Sequence, residues 1–137
     1  MNVGVVGQGF VGTAVYEGLK KHHKLLCYDK DDKVNVKRLG VANLELLAEY
    51  SEIIFVCVPT PMKDKLGSEC NLSIIHECFS DINNSGSNSI FIIKSTVPIG
   101  TTLKLQKKYK KLNIVHSPEF LTAKFANEDF LNADRHI

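Results

Sequence analysis

Apolar residues in this chain gather in short unbroken runs: Val3 to Val6, Leu25 to Tyr28, Ile53 to Val58, Ile90 to Ile93 and Ile114 to Val115. Runs that are apolar on both sides of an extended backbone suit parallel strands sandwiched between two helical layers. The stretches between them change period. Phe10, Val11, Ala14, Val15 and Leu19 recur at helical spacing, and His22 and His23 follow, cations suited to the negative end of a helix. Leu44, Leu46, Leu47 and Tyr50 mark a second short helix. Leu72, Ile74, Ile75, Cys78, Phe79 and Ile82 mark an amphipathic third, with Asn71 or Ser73 as its cap. A fourth helix is expected from Ile99 to Tyr109, after a Pro-Ile-Gly turn. Asp29 to Leu39 is charged and irregular, and the polar stretch NNSGSN, from Asn83, reads as a helix-to-strand turn. The expected architecture is α/β: a Rossmann-type, doubly wound, mostly parallel sheet of five to six strands with helices on both faces.

Composition narrows the class without changing that picture. With 137 residues, 44% of them hydrophobic and 23% charged, the chain is sized for one globular domain. A formal charge of +2 gives no nucleic-acid footprint, since the basic residues are scattered apart from Lys107, Lys108, Lys110 and Lys111, which read as a solvated helix face. No apolar stretch approaches the roughly 18 residues a membrane span needs, and no basic segment precedes the first apolar run, so a cytoplasmic protein is expected. The four cysteines form no CxxC pair. Cys27 and Cys57 sit in strand-like runs, Cys70 in a loop and Cys78 on the inner side of a helix, so neither a zinc site nor a disulfide framework is expected.

Chemistry concentrates at the ends of the strands. Gly7-Gln8-Gly9-Phe10-Val11-Gly12 is a G-x-G-x-x-G placed between the first strand and the first helix. In that context the first glycine permits a tight turn, the second lets backbone approach a pyrophosphate, and the third lets helix pack close to strand. The helix then presents free N–H groups to an anion. Asp29 closes the second strand about 20 residues further on, where a carboxylate accepts hydrogen bonds from an adenosine ribose diol. This favours NAD over NADP, although Lys30 and Lys33 lie close enough to tolerate a 2′-phosphate. Val58-Pro59-Thr60-Pro61, Lys94-Ser95-Thr96-Val97-Pro98 and Ser117-Pro118-Glu119 end three further strands with small polar groups and proline. Together they would wall a single crevice at the carboxyl edge of the sheet, where doubly wound folds bind ligands.

These strings resemble those of the UDP-glucose/GDP-mannose dehydrogenases, four-electron oxidoreductases that use two NAD+ to turn a nucleotide sugar's primary alcohol into a carboxylate. GQGFVG is similar to the family's GxGYVG, VCVPTP to its PTP loop, KSTVPIGTT to its KSTVPxGT, SPEFL to its (N/S)PEFL, and EDFLNADR to its xDFxxPDR. The likeness runs the length of the chain and argues against a two-electron dehydrogenase of the 6-phosphogluconate type. It implies that Gly7, Gln8, Gly9, Phe10, Val11 and Gly12 hold the pyrophosphate, and that Asp29, with Lys33 as the basic contact, holds the adenosine ribose. It also implies that Val58, Pro59, Thr60 and Pro61 meet the adenylate side, and that Ser95 and Thr96 approach the nicotinamide. Thr96 resembles the threonine that binds a water at the oxidised carbon. Glu119 resembles the glutamate that relays a proton or activates water when the thioester intermediate is hydrolysed.

The chain also departs from the family pattern. Ala123 stands where the family often has a second glutamate, Val34 where a basic contact usually follows the ribose aspartate, and Ala133 where a proline is usual. The stretch between Asp29 and Ile53 is shorter than usual, without room for the customary extra helix and loop. None of the cysteines has the family's nucleophile context, which belongs to a central helix and C-terminal domain. The resemblance therefore implies an NAD-binding domain that forms the N-terminal half of a longer, homodimeric enzyme, inactive alone, with the nucleotide-sugar contacts mainly in the other half. The competing expectation is a stand-alone dinucleotide-binding module without catalysis. A sheet edge left open near Val115 is expected to promote weak, concentration-dependent pairing.

Overall fold

The structure is a computed structural model that describes residues 1–31, 40–41, 43–63, 69–119, 121–122 and 124–133. Strands β1 (Asn2–Val6), β2 (Lys24–Tyr28), β3 (Ile53–Val56), β4 (Ile90–Ile93) and β5 (Asn113–His116) form one parallel sheet in the order β2-β1-β3-β4-β5. Helices α1 (Phe10–Leu19), α2 (Leu44–Tyr50), α3 (Ser73–Ile82), α4 (Thr101–Lys108) and α5 (Ala126–Leu131) complete the described elements. None is long and apolar enough to cross a membrane. The order reverses between β1 and β3: the chain moves outward from β1 to β2, then returns to the other side of β1 for β3. That switch point is where doubly wound sheets open a crevice beyond their carboxyl ends.

The alternation of side chains along each strand feeds two cores. One face turns Val6, Ile54, Val56, Phe91, Ile93 and Ile114 towards Leu44 and Leu47 of α2, Ile75, Phe79 and Ile82 of α3, and Leu105 of α4. Phe79 meets Phe91 edge-on with ring centroids 5.8 Å apart. The opposite face turns Val3, Val5 and Leu25 towards Ala14 and Val15 of α1 and towards Ala126 and Phe130 of α5. Gly18 lets α5 seat on α1, because a Cβ there would lie 2.5 Å from the Phe130 ring.

The elements follow the expected periods, with instructive differences. Helix α4 begins at Thr101 rather than Ile99, because Gly100 at its N-cap takes φ +82°, a left-handed conformation that halts helical winding towards the proline. Asn71 accepts the Ser73 N–H at 2.9 Å from a position one residue ahead of the N-cap of α3. Helix α5 has six residues, too few to show a period, and only packing on α1 reveals it. Ser87 within NNSGSN and Ser89 just after it each donate to the Ala48 carbonyl, at 2.8 and 3.1 Å, which satisfies the C-terminal end of α2. Between β2 and α2, Gly40 forms a single parallel bridge with Cys27 on the outer side of β2, where the usual Rossmann order would place another full strand.

Helices α1 and α5 cover β1, β2 and part of β3. The same face continues over Ile90 and Ile92 of β4 and Val115 of β5, in register with the covered half. There Ile90 is 44% and Val115 45% exposed. β5 is also an edge strand with one side unpaired among the described residues. An apolar, open-edged strip of this kind drives self-association. Sedimentation velocity on the chain is expected to show a mass average that rises with concentration, and Val115→Lys should flatten that rise.

Candidate functional site

The site is built around one crowded turn. Gly7 leaves β1 with φ +83°, and its N–H donates to the Tyr28 carbonyl at 2.9 Å. A Cβ on Gly7 would lie 2.6 Å from the Cys57 carbonyl oxygen, and a Cβ on Gly12 would lie 1.8 Å from the Gly7 carbonyl oxygen. The first and third glycines therefore close the space between β1, α1 and the end of β3. Gly9 differs from both: its φ of −71° suits any residue, and nothing lies within 4 Å of where its Cβ would be. The space it leaves faces the crevice. Helix α1 starts there with no side-chain cap and no acidic residue in its first turn, so its N-terminal N–H groups keep their capacity for an anion.

Asp29, half-buried at the end of β2, holds this loop from the other side. Its carboxylate accepts the Gln8 N–H at 2.6 Å and the Asp31 N–H at 2.9 Å. A carboxylate is an acceptor-only group, the type that a ribose diol needs. Between Asp29 and α3 lies a cavity of about 460 Å³, walled by Val6, Tyr28, Leu44, Val58 and Ile74, with the glycine loop as its floor. Its rim carries Asp29, Lys30, Asp31, Glu77 and Asp81.

A second cavity, of about 300 Å³, opens on the other side of the same loop. It is lined by Gly9, Phe10, Val11, Val58, Pro59, Thr60, Lys94, Ser95, Thr96 and Glu119. Gly9, Cys57, Val58 and Pro59 belong to both cavities, so the two are halves of one crevice folded over the end of β3. Most of the expected site residues thus converge. Pro61 is exposed and lines neither half, and Gly12 is buried beneath the loop. Lys33, Val34 and Ala123 lie outside the described residues.

Two hydroxyls serve the frame of this second half. Ser95 donates to the Val58 carbonyl at 2.5 Å, and Thr60 donates to the Thr96 carbonyl at 2.7 Å. These bonds tie the ends of β3 and β4 together. Ser95 therefore offers backbone rather than its hydroxyl, while Thr96 is exposed on the cavity side. Lys94 is a site residue that the strand pattern does not reveal. It follows four apolar residues, is 3% exposed, and places its Nζ 2.9 Å from Glu119 Oε2 and 3.2 Å from Ser117 Oγ. Its sequence signal is a lysine that directly continues a fully apolar strand, where a buried ammonium must find a carboxylate.

Three of the four cysteines are buried. Burial pushes the Cys57 thiol up to about 12, with Glu119 adding to the rise and Lys94 opposing it; burial likewise pushes Cys78 up to about 12. Neither supplies a thiolate near neutral pH. Cys27 is fully buried, and Cys70 donates its S–H to the Thr60 carbonyl at 3.6 Å.

Comparison with known proteins places this arrangement. The sequence model described as "UDP-glucose/GDP-mannose dehydrogenase family, NAD binding domain" matches residues 32–137, most of the chain. The chain belongs to this family. NAD is the dinucleotide its matched domain takes, and the uncapped helix start, the open side of Gly9 and the Asp29 carboxylate fit that cofactor. UDP-glucose 6-dehydrogenase of Campylobacter jejuni is 30% identical over all of this chain and 41% of its own length. UDP-glucose 6-dehydrogenase of Rickettsia typhi is 29% identical over an alignment of 169 positions, which covers all of this chain and 38% of that protein. The chain thus spans well under half the length of these relatives. The alignment is also longer than the chain, so that relative carries internal segments that this chain lacks. GDP-mannose dehydrogenase of Pseudomonas aeruginosa, solved as a ternary complex, superposes with a TM-score of 0.79 at 20% identity over 95% of this chain and 38% of that one. That superposition shows the shared Rossmann-like fold.

Two predictions follow from the geometry. Gly9→Val should leave the thermal midpoint nearly unchanged while abolishing NAD+ binding, whereas Gly12→Ala should lose the cooperative transition itself; differential scanning calorimetry with an NAD+ titration reads both. Lys94→Met leaves a buried carboxylate uncompensated and should cost about 3 kcal/mol or more in urea unfolding. The double variant Lys94→Met/Glu119→Leu, which removes both charges, should recover most of that loss.

Proposed function

We propose that this chain is the cofactor-binding half of a nucleotide-sugar 6-dehydrogenase, a longer enzyme that oxidises the primary alcohol of UDP-glucose or a related nucleotide sugar to a uronate with two NAD+. The observation that carries this reading is the divided crevice. One half ends in Asp29 and is walled by aliphatic side chains, the other ends in Thr96 and Glu119, and the glycine loop lies between them.

Asp29 would hold the ribose diol of the adenosine in the first half, and Val6, Leu44, Val58 and Ile74 would meet its ring. Gln8, Gly9, Phe10 and Val11, at the start of α1, would hold the diphosphate. Val58, Thr60 and the Ser95–Thr96 backbone would border the nicotinamide in the second half. NAD, when bound, accepts the hydride taken from the substrate carbon. The protein residues handle position and protons. The Thr96 hydroxyl orients a water or substrate oxygen at the cavity wall. Glu119, with Lys94 keeping its charge compensated, takes up or relays the proton. The Ser95 and Thr60 bonds hold the two strand ends so that hydroxyl and carboxylate face the same space.

The nucleotide sugar and the thiol nucleophile belong to the remainder of the enzyme in this reading, so the chain alone binds cofactor without turnover. Isothermal titration of the chain with NAD+ tests the proposal. Saturable binding is expected, with Asp29→Ala weakening it about tenfold through loss of charge-assisted bonds to the ribose. Absence of binding at millimolar NAD+, or an Asp29→Ala variant that binds as tightly as the parent, would overturn it.

A further inference from the structure

Lys30 follows Asp29 directly and reaches from the end of β2 across the mouth of the first cavity to Glu77 on α3. Its Nζ lies 2.9 Å from Glu77 Oε1 and 3.0 Å from Oε2, so one ammonium engages both carboxylate oxygens. Both residues line the cavity, as do Asp29, Asp31 and Asp81, and Lys30 is the single cation among the described lining residues. A 2′-phosphate on an adenosine whose ribose sits at Asp29 would arrive at this rim. It would carry about two negative charges into a ring of four carboxylates. Among the described lining residues, the one ammonium able to receive it is already held by a carboxylate from another element.

We infer that Glu77 is a specificity-determining residue that excludes NADP by occupying Lys30, so that selection against the 2′-phosphate rests on an ion pair between β2 and α3 as well as on Asp29. The inference builds on the cofactor placement proposed above. It names a second residue, distant in sequence from the dinucleotide fingerprint, that decides which dinucleotide enters. The pair is exposed, with side chains 68% and 53% accessible, so its effect is modest and sensitive to salt. Release of one exposed ammonium from its carboxylate, so that it can meet a phosphate, accounts for about a fivefold change in relative affinity.

The test is a titration of the chain with NAD+ and with NADP+ at low and high salt, comparing the parent, Glu77→Gln and Lys30→Ala/Glu77→Gln. Glu77→Gln keeps the side-chain shape and frees Lys30. The ratio of the NADP+ to the NAD+ dissociation constant should fall about fivefold at low salt and less at high salt, and the double variant should lose that gain. An unchanged ratio in Glu77→Gln, or a gain that persists without Lys30, overturns the inference. Failure of the parent to bind NAD+ overturns the cofactor placement instead, so the two failures are separable.

Discussion

The contact that everything else depends on is the close approach of the β1–α1 turn to the end of β3. The Gly7 carbonyl oxygen lies where a Cβ on Gly12 would have to be, and the Cys57 carbonyl lies where a Cβ on Gly7 would be. Cys57 donates its N–H to the Val6 carbonyl at 2.8 Å, so β3 stays paired with β1 up to the point of the turn. With three backbone segments this close, the helix start is aimed across the carboxyl edge of the sheet rather than away from it. The crevice is the space left by that geometry, and its division into two halves follows from the end of β3 standing in the middle.

Charge is arranged differently in the two halves, and burial explains the difference. Lys94 and Glu119 are nearly shielded from water, where an isolated charge is costly and removing one partner is far worse than removing both. That pair is part of the fold as much as of the site. Lys30 and Glu77 meet in solvent, where a pair contributes little to stability. Its effect is on what else can approach Lys30. One ion pair therefore fixes a group that faces the second cavity, while the other sets the charge at the mouth of the first.

Much of this was legible in the residues alone. Unbroken apolar runs such as Ile53 to Val56 and Ile90 to Ile93 identify strands covered on both faces, and the glycine spacing identifies the turn between β1 and α1. Asp29 directly follows an apolar run, and Thr96 and Glu119 lie three and four residues past theirs, in the polar strings that end β4 and β5. What local pattern does not encode is pairing across the fold. Glu77 reads as one solvated position of an amphipathic helix, and nothing within α3 reveals that β2 ends opposite it. Lys94 reads as the polar residue that stops a strand, and its burial depends on Glu119 arriving from β5. Helix α5 is too short for a period, and its seat on α1 depends on Gly18, which looks in sequence like a weak point in a helix.

A polar strand end can either face a ligand or fix the frame that faces it, and here most of the polar groups do the second. Ser95 and Thr60 spend their hydroxyls on backbone carbonyls of the neighbouring loop, and Asp29 spends two acceptor positions on the N–H groups of Gln8 and Asp31. The prolines at 59, 61 and 98 restrict the same loops. Groups locked in this way lose little further freedom when a ligand arrives, so less of the binding free energy is consumed in ordering the site. The cost falls on tolerance: a rim held by mutual bonds between strand ends transmits a change at one end to the others. An alteration at Ser95 would shift Val58, which walls both halves of the crevice, and so would disturb both cavities together.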